Sequence, residues 1–208
     1  MTEGISKGAS DEDESQGYAL SKSYPPLRAI QLRVRAYALE HGALIRKVLE
    51  TSADDNQRAV AAELLGYARQ SDSQLTALVR ASRDSNEDVR NNVTRALIVL
   101  VGAKPELAGR IQPDVFIQML MSGTWTDVNK SSGLLNALTK SRDQQLLAKL
   151  RQPAVVERLI EIARWRTGHA NAARAILGRI AGIDETRLTQ LVATGQVDQI
   201  INALHPTR

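Results

Sequence analysis

The 208-residue chain has no cysteine and a single phenylalanine, and aromatic residues make up only 3% of it. The missing cysteine excludes disulfides, thiol nucleophiles and cysteine-ligated metals, and leaves the redox compartment open. The shortage of aromatics means that a core has to be built from Leu, Ile, Val and Ala, which suit closely packed helices. Apolar and polar residues nowhere alternate over a strand's length, so no sheet is expected. The longest apolar run covers residues 96–103, far short of the roughly 20 residues a spanning helix requires. Zinc sites and nucleophilic triads need His, Cys or carboxylates converging at short spacing, whereas His41, His169 and His205 stand alone. No glycine cluster resembles a phosphate-cradling loop. The paired acids Asp54-Asp55 and Glu87-Asp88 fall where helices begin and read as caps. The chain is therefore expected to be no enzyme and to carry no metal or cofactor.

Charge is present but uneven. The net charge is +4, yet residues 1–26 hold five acidic side chains against two basic ones. Residues 130–179 hold ten basic against three acidic, an asymmetry that favours an acidic partner, whether an acidic protein surface or nucleic acid. The acidic, polar N-terminus is unlike a signal peptide, and the chain reads as soluble and cytoplasmic. The mature part of an exported precursor, or a segment of a longer protein, would read the same way.

Residues 1–23 are rich in Gly, Ser, Asp and Glu and have few apolar side chains to offset the entropy of ordering. Residues 1–26, closed by Pro25-Pro26, are accordingly expected to be a disordered tail, and residues 205–208 a second, short one. Between them, residues 27–204 carry helical periodicity. A first helix over 27–50 directs Ile30, Val34, Tyr37, Leu44, Ile45 and Val48 inward. Ser52 to Asp55 break and cap, and a second helix over 56–69 turns Val60, Leu64, Leu65 and Ala68 inward. A third follows over 74–83, and a short helix begins at Pro105.

The C-terminal half repeats itself. Leu107-Ala108, Gln112-Pro113, Val115 and Trp125 recur as Leu147-Ala148, Gln152-Pro153, Val155 and Trp165, all at an offset of 40 residues. A period near 40 in a helix-forming chain is the signature of stacked helix pairs. Pro113 and Pro153 start the first helices of two adjacent units, and residues 126–139 and 167–180 form the second helices. A further helix after Gly182 and a short one over 197–204 close the array, which makes about four helix pairs and a cap.

The segment Asp84-Ser85-Asn86-Glu87-Asp88-Val89-Arg90, followed by Val93, Ala96, Leu97 and Leu100, resembles the second helix of a HEAT repeat. That family's pattern has an Asp in the turn, then Val-Arg, then Ala-Leu. The resemblance implies an all-α fold, a right-handed α-α superhelix, with Asp84 and Arg90 in a ladder of hydrogen bonds between successive repeats. Lys130 stands 40 residues beyond Arg90, and Ala170 another 40 on. The resemblance also implies a scaffold or adaptor that binds another protein on the concave face lined by the second helices.

Arg58, Arg90, Arg95, Lys130, Arg174 and Arg179 lie on those second helices. Trp125 and Trp165 occupy matching positions before two of them, and Arg164 and Arg166 flank Trp165. Each Trp is expected either to fill space between repeats or to act as an aromatic anchor, since Trp and Arg are favoured at binding hot spots. The candidate binding residues are therefore Arg90, Trp125, Lys130, Arg164, Trp165, Arg166, Arg174 and Arg179, with the C-terminal half the expected location. An alternative is nucleic-acid binding in the manner of the alkylpurine DNA glycosylases, with Trp125, Asp127 and Trp165 on a basic face. A HEAT-like accessory of the bilin-lyase type is a third reading. Partner identity and oligomeric state are left open.

Overall fold

A computed structural model of the chain describes residues 11–204. Among them are eleven α-helices, one 3-10 helix and one two-stranded hairpin. Helix α1 (Pro25–Thr51) starts on two prolines, which cost nothing where the N–H groups have no helical acceptor. Asp54 caps α2 (Asp55–Gly66) by accepting from the Asn56 and Gln57 N–H groups, and Ser71 caps α3 (Asp72–Ala81) through Gln74. Asn86 caps α4 (Glu87–Ala103), whose Val89, Val93, Ala96, Leu97 and Leu100 are all buried. A 3-10 turn (Pro105–Arg110) leads to α5 (Asp114–Leu120) and α6 (Trp125–Thr139). The chain continues through α7 (Gln144–Leu150), α8 (Pro153–Ala163) and α9 (Ala170–Ile180) to α10 (Glu185–Ala193) and α11 (Val197–Asn202).

The helices pack in pairs: α1 on α2, α3 on α4, α5 on α6, and α8 on α9. The second members then pack in series, α2 on α4, α4 on α6 and α6 on α9, with α10 and α11 against α9. One apolar cluster runs unbroken from Ala38 to Ile200, dominated by Leu, Ile, Val and Ala, and Phe116 is fully buried in it. Gly178 lets α10 approach α9 closely, since a Cβ there would lie 2.1 Å from Leu188 Cδ1. Among the described residues, no helix is long and apolar enough to cross a membrane.

The 40-residue echo is a three-element unit. The 3-10 turn, α5 and α6 correspond to α7, α8 and α9. Helix α7 is an element the periodicity did not reveal. It is capped by Asp143 and buries Leu146, Leu147 and Leu150.

Two expectations are corrected. The apolar face assigned to α1 is partly wrong: Gln31, Ala38, Ile45 and Leu49 are buried, while Ile30, Tyr37 and Leu44 are 54%, 46% and 55% exposed. On α2, Val60 is likewise exposed. Among the described residues nothing covers this flank of the α1–α2 pair. It forms a groove of about 400 Å³ lined by Tyr37, Leu44, Val48, Val60 and Leu64. The second correction concerns the tail. Residues 1–10 and 205–208 lie outside the described residues, but 11–26 are not a disordered tail. Strand β1 (Glu12–Asp13) pairs antiparallel with β2 (Leu20–Ser21), in the register Glu12 to Ser21 and Asp13 to Leu20, and α1 starts at Pro25. Composition predicts disorder when a segment must bury its own side chains, and this one is held by polar groups of the helices beneath it.

Candidate functional site

Two sets of side chains stitch the helices together. Near the N-terminal ends of the second helices, Arg58 of α2 grips Asp84 through Nε (2.8 Å) and Nη2 (2.9 Å). Arg90 of α4 grips Asp127 of α6 in the same two-pronged way, at 2.9 Å for each bond. Each arginine also ties down the turn before its own helix: Arg58 donates to the Ser52 and Ala53 carbonyls, and Arg90 to those of Asp84 and Ser85. Such forked charge-assisted bonds fix distance and angle together. The Arg58 guanidinium holds the Asp84 carboxyl below the usual carboxylate range, against the opposing effect of burial. Asp84 and Arg90, the residues assigned to a ladder, thus belong to two successive rungs, and Asp127, assigned elsewhere by the sequence reading, completes the second.

The stitching moves to the other end of the helices beyond α6. Arg179 of α9 is only 5% exposed. Its Nη1 donates to the Asn136 carbonyl, the Asn136 side chain and Thr139 Oγ1, and its Nε to Glu185 at 2.7 Å. Glu185 is held below its ordinary value, first by that bond and further by Arg142. Arg174 donates to the carbonyls of Ala163 (2.9 Å) and Trp165 (3.2 Å), satisfying orphan acceptors around the end of α8.

These contacts correct the picture of a basic C-terminal face. The donors of Arg90, Arg174 and Arg179 are engaged inside the fold because carboxylates and helix-end carbonyls lie within their reach. Arg164 and Arg166 are exposed. The two Trp are not equivalent. Trp125 opens α6, is 53% exposed and meets the His169 ring edge-on at 5.2 Å. Trp165 lies in the longer turn between α8 and α9 and packs on the core. The glycosylase-like arrangement is not reproduced either, because Asp127 is buried with both oxygens bound to Arg90.

A different cluster lies on α2, α4 and α6. Glu63, Tyr67, Asn92, Arg95, Ala96 and Val99 line one cleft of about 160 Å³, which the N-terminal hairpin enters with Glu12, Tyr18 and Ala19. Arg95 Nη2 donates to Glu12 at 2.6 Å and also to Glu14. Burial works against the charge on Arg95, and the carboxylates of Glu14 and Glu12 more than offset it. Lys130 sits beside this pair with no ion pair of its own among the described residues. Burial, and then the neighbouring Arg95 charge, pushes its ammonium below the ordinary lysine value, while Glu12 and Glu14 act in the opposite direction.

The rest of the hairpin is held through polar atoms. Gln31 accepts from the Ser21 N–H at 2.7 Å and donates to Glu12 at 3.2 Å. Gln70 donates to the Gln16 carbonyl at 2.7 Å. Arg35 stacks over the Tyr18 ring at 4.4 Å, and Tyr18 in turn lies against Tyr67. Leu20 is the one large aliphatic side chain of residues 11–24 that is buried. The hairpin's hold is therefore mostly polar.

Sequence reasoning placed Arg95 and Lys130 on second helices but could not see that a segment some 80 residues earlier meets Arg95. The available signal was opposite charge, five acidic residues at the N-terminus and an excess of basic ones downstream. Among the described residues, no group of three or more His, Asp or Glu could hold a metal. Compared with family models and with curated proteins, the chain matches none.

Proposed function

We propose that this protein is a non-enzymatic scaffold or adaptor, a HEAT-like right-handed superhelix of four helix pairs and a cap that binds another protein on the face formed by its second helices. The observation that carries this reading is the continuous packing of α2, α4, α6 and α9, with Glu63, Asn92 and Arg95 around one cleft and Lys130 beside it. A row of helices in series creates an extended surface without a built-in active-site pocket. The forked rungs Arg58–Asp84 and Arg90–Asp127 support the same reading, because they hold successive second helices at a set spacing. A scaffold needs that spacing to remain constant along its face.

The test is crosslinking capture with the full chain as bait, repeated with Lys130→Glu, alongside binding to duplex DNA at low salt. The expected outcome is a protein captured by the wild type and lost with Lys130→Glu, with no tight DNA binding. Failure to capture any protein, together with tight and salt-dependent binding to bare duplex DNA, would overturn the proposal.

A further inference from the structure

The hairpin of residues 11–21 lies in a cleft lined by residues of the second helices. We infer that the cleft around Arg95 and Lys130 is a docking site for an acidic peptide segment, and that residues 11–21 occupy it in the free protein as an internal stand-in for that segment. The inference rests on the reading of the protein as a scaffold and names the chemistry of its partner.

The ligand chemistry can be read from the occupant. Glu12 lies in β1 and Glu14 just beyond it, where the turn begins, and both carboxylates reach the one guanidinium of Arg95. A turn at Gly17 follows, and Tyr18 then enters the pocket between Arg35 and Tyr67. Main-chain atoms are read at three points, the Ser21 N–H by Gln31, the Ser21 carbonyl by Arg28 and the Gln16 carbonyl by Gln70. A partner would present two acids two residues apart at the end of a short strand, followed after a turn by an aromatic residue. Lys130 offers charge that the hairpin leaves without an ion pair among the described residues.

The occupant is replaceable because its hold is mostly polar. It pairs over only two residues per strand, buries one aliphatic side chain and depends on charge that salt and a competing carboxylate weaken. Gly17 is the weak point through which it can be released selectively. Its φ is +78°, and a Cβ would lie 2.1 Å from Gln70 Nε2 and 3.6 Å from Leu100 Cδ2. Any larger residue there meets an unfavourable backbone and pushes the Gln70 side chain off the Gln16 carbonyl.

The experiment uses the full chain, wild type and Gly17→Val, and a fluorescein-labelled peptide with the sequence of residues 11–23 as probe, read by anisotropy. Far-UV circular dichroism checks that the helices persist, and if Gly17→Val does not fold, the double variant Glu12→Gln with Glu14→Gln takes its place. The expected result is binding at least about tenfold tighter to Gly17→Val than to wild type. That binding should be lost when Arg95→Gln and Lys130→Gln are added, and absent for a probe with Gln at both glutamate positions. Equal binding to wild type and Gly17→Val, or binding that survives loss of Arg95 and Lys130, overturns the proposal. So does a wild-type dimer in light scattering that Gly17→Val abolishes, because the hairpin then serves a second copy of this chain. Displacement of the probe by a single-stranded oligonucleotide at lower concentration than by unlabelled peptide overturns it in favour of nucleic acid. A chain that passes these tests yet captures no protein retains the site and loses the scaffold reading, which separates the two failures.

Discussion

Replacing Arg90 with Met is expected to be among the most damaging single changes to the second-helix row. Arg90 makes two 2.9 Å bonds to Asp127 and two of 2.8 Å to the Asp84 and Ser85 carbonyls. Methionine preserves most of the apolar stem, so little packing is lost. The Ser85 carbonyl is exposed and recovers water, and the Asp84 carbonyl is half-buried. Asp127 does not recover in this way: it is 5% exposed and retains the Ser122 hydroxyl at 3.3 Å. Leaving a buried carboxylate without its cation costs about 3–5 kcal/mol. At roughly 2–4 °C per kcal/mol for a chain of this size, the midpoint should fall by about 6–20 °C. The assay is thermal unfolding followed by far-UV circular dichroism, supported by a urea midpoint. The double variant Arg90→Met with Asp127→Leu tests the mechanism, because removing both charges removes the unpaired ion. It should be more stable than Arg90→Met alone. A fall of less than about 2 °C for Arg90→Met, or a double variant no better than the single, would refute the reasoning and mean that Asp127 is solvated.

Two further outcomes follow from the same geometry. Trp165→Ala should destabilise by about 2 kcal/mol because the ring packs on the core, whereas Trp125→Ala should change stability by well under half of that; comparing the emission of the Trp125→Phe and Trp165→Phe proteins should place Trp165 further to the blue. The Asp84 and Glu185 carboxyls are held below their ordinary values by Arg58 and Arg179. The unfolded chain therefore binds protons that the folded one does not, so their contribution is complete above about pH 4–5 and is lost as pH falls through the folded values. Urea midpoints measured against pH should show this acid limb, and Asp84→Asn should flatten it; an unchanged limb would show that Asp84 contributes nothing to it.

Local signals were legible wherever neighbouring residues decide the outcome. Asp54, within the segment expected to cap, does cap α2, because a short polar side chain reaches N–H groups only two or three residues away, whereas Glu87 and Asp88, also expected to cap, lie in the first turn of α4 and its cap is Asn86. Helix α7 leaves no periodic signal, because seven residues hold too few apolar positions for a period to stand out. The exposure of Tyr37 and Leu44 leaves no local signal for another reason: periodicity identifies an apolar stripe but cannot say whether a neighbour covers it. The same limit applies to the site. A list of basic residues on second helices contained Arg95, Lys130, Arg174 and Arg179 alike, and nothing local separates a guanidinium that binds carbonyls of its own fold from one that faces another segment.

The sequence by itself determined that the chain is helical, that its core is aliphatic, and that its C-terminal half repeats at 40 residues, because helix periodicity, caps and repeats are properties of short range or of self-comparison. Only the tertiary structure decided which charges meet. Arg90 finds Asp127 at 37 residues' separation, Arg179 finds Asn136 at 43, and Arg95 finds Glu12 at 83. Those pairings depend on how the helices stack, and they divide the basic residues into stitches of the fold and a surface that receives carboxylates.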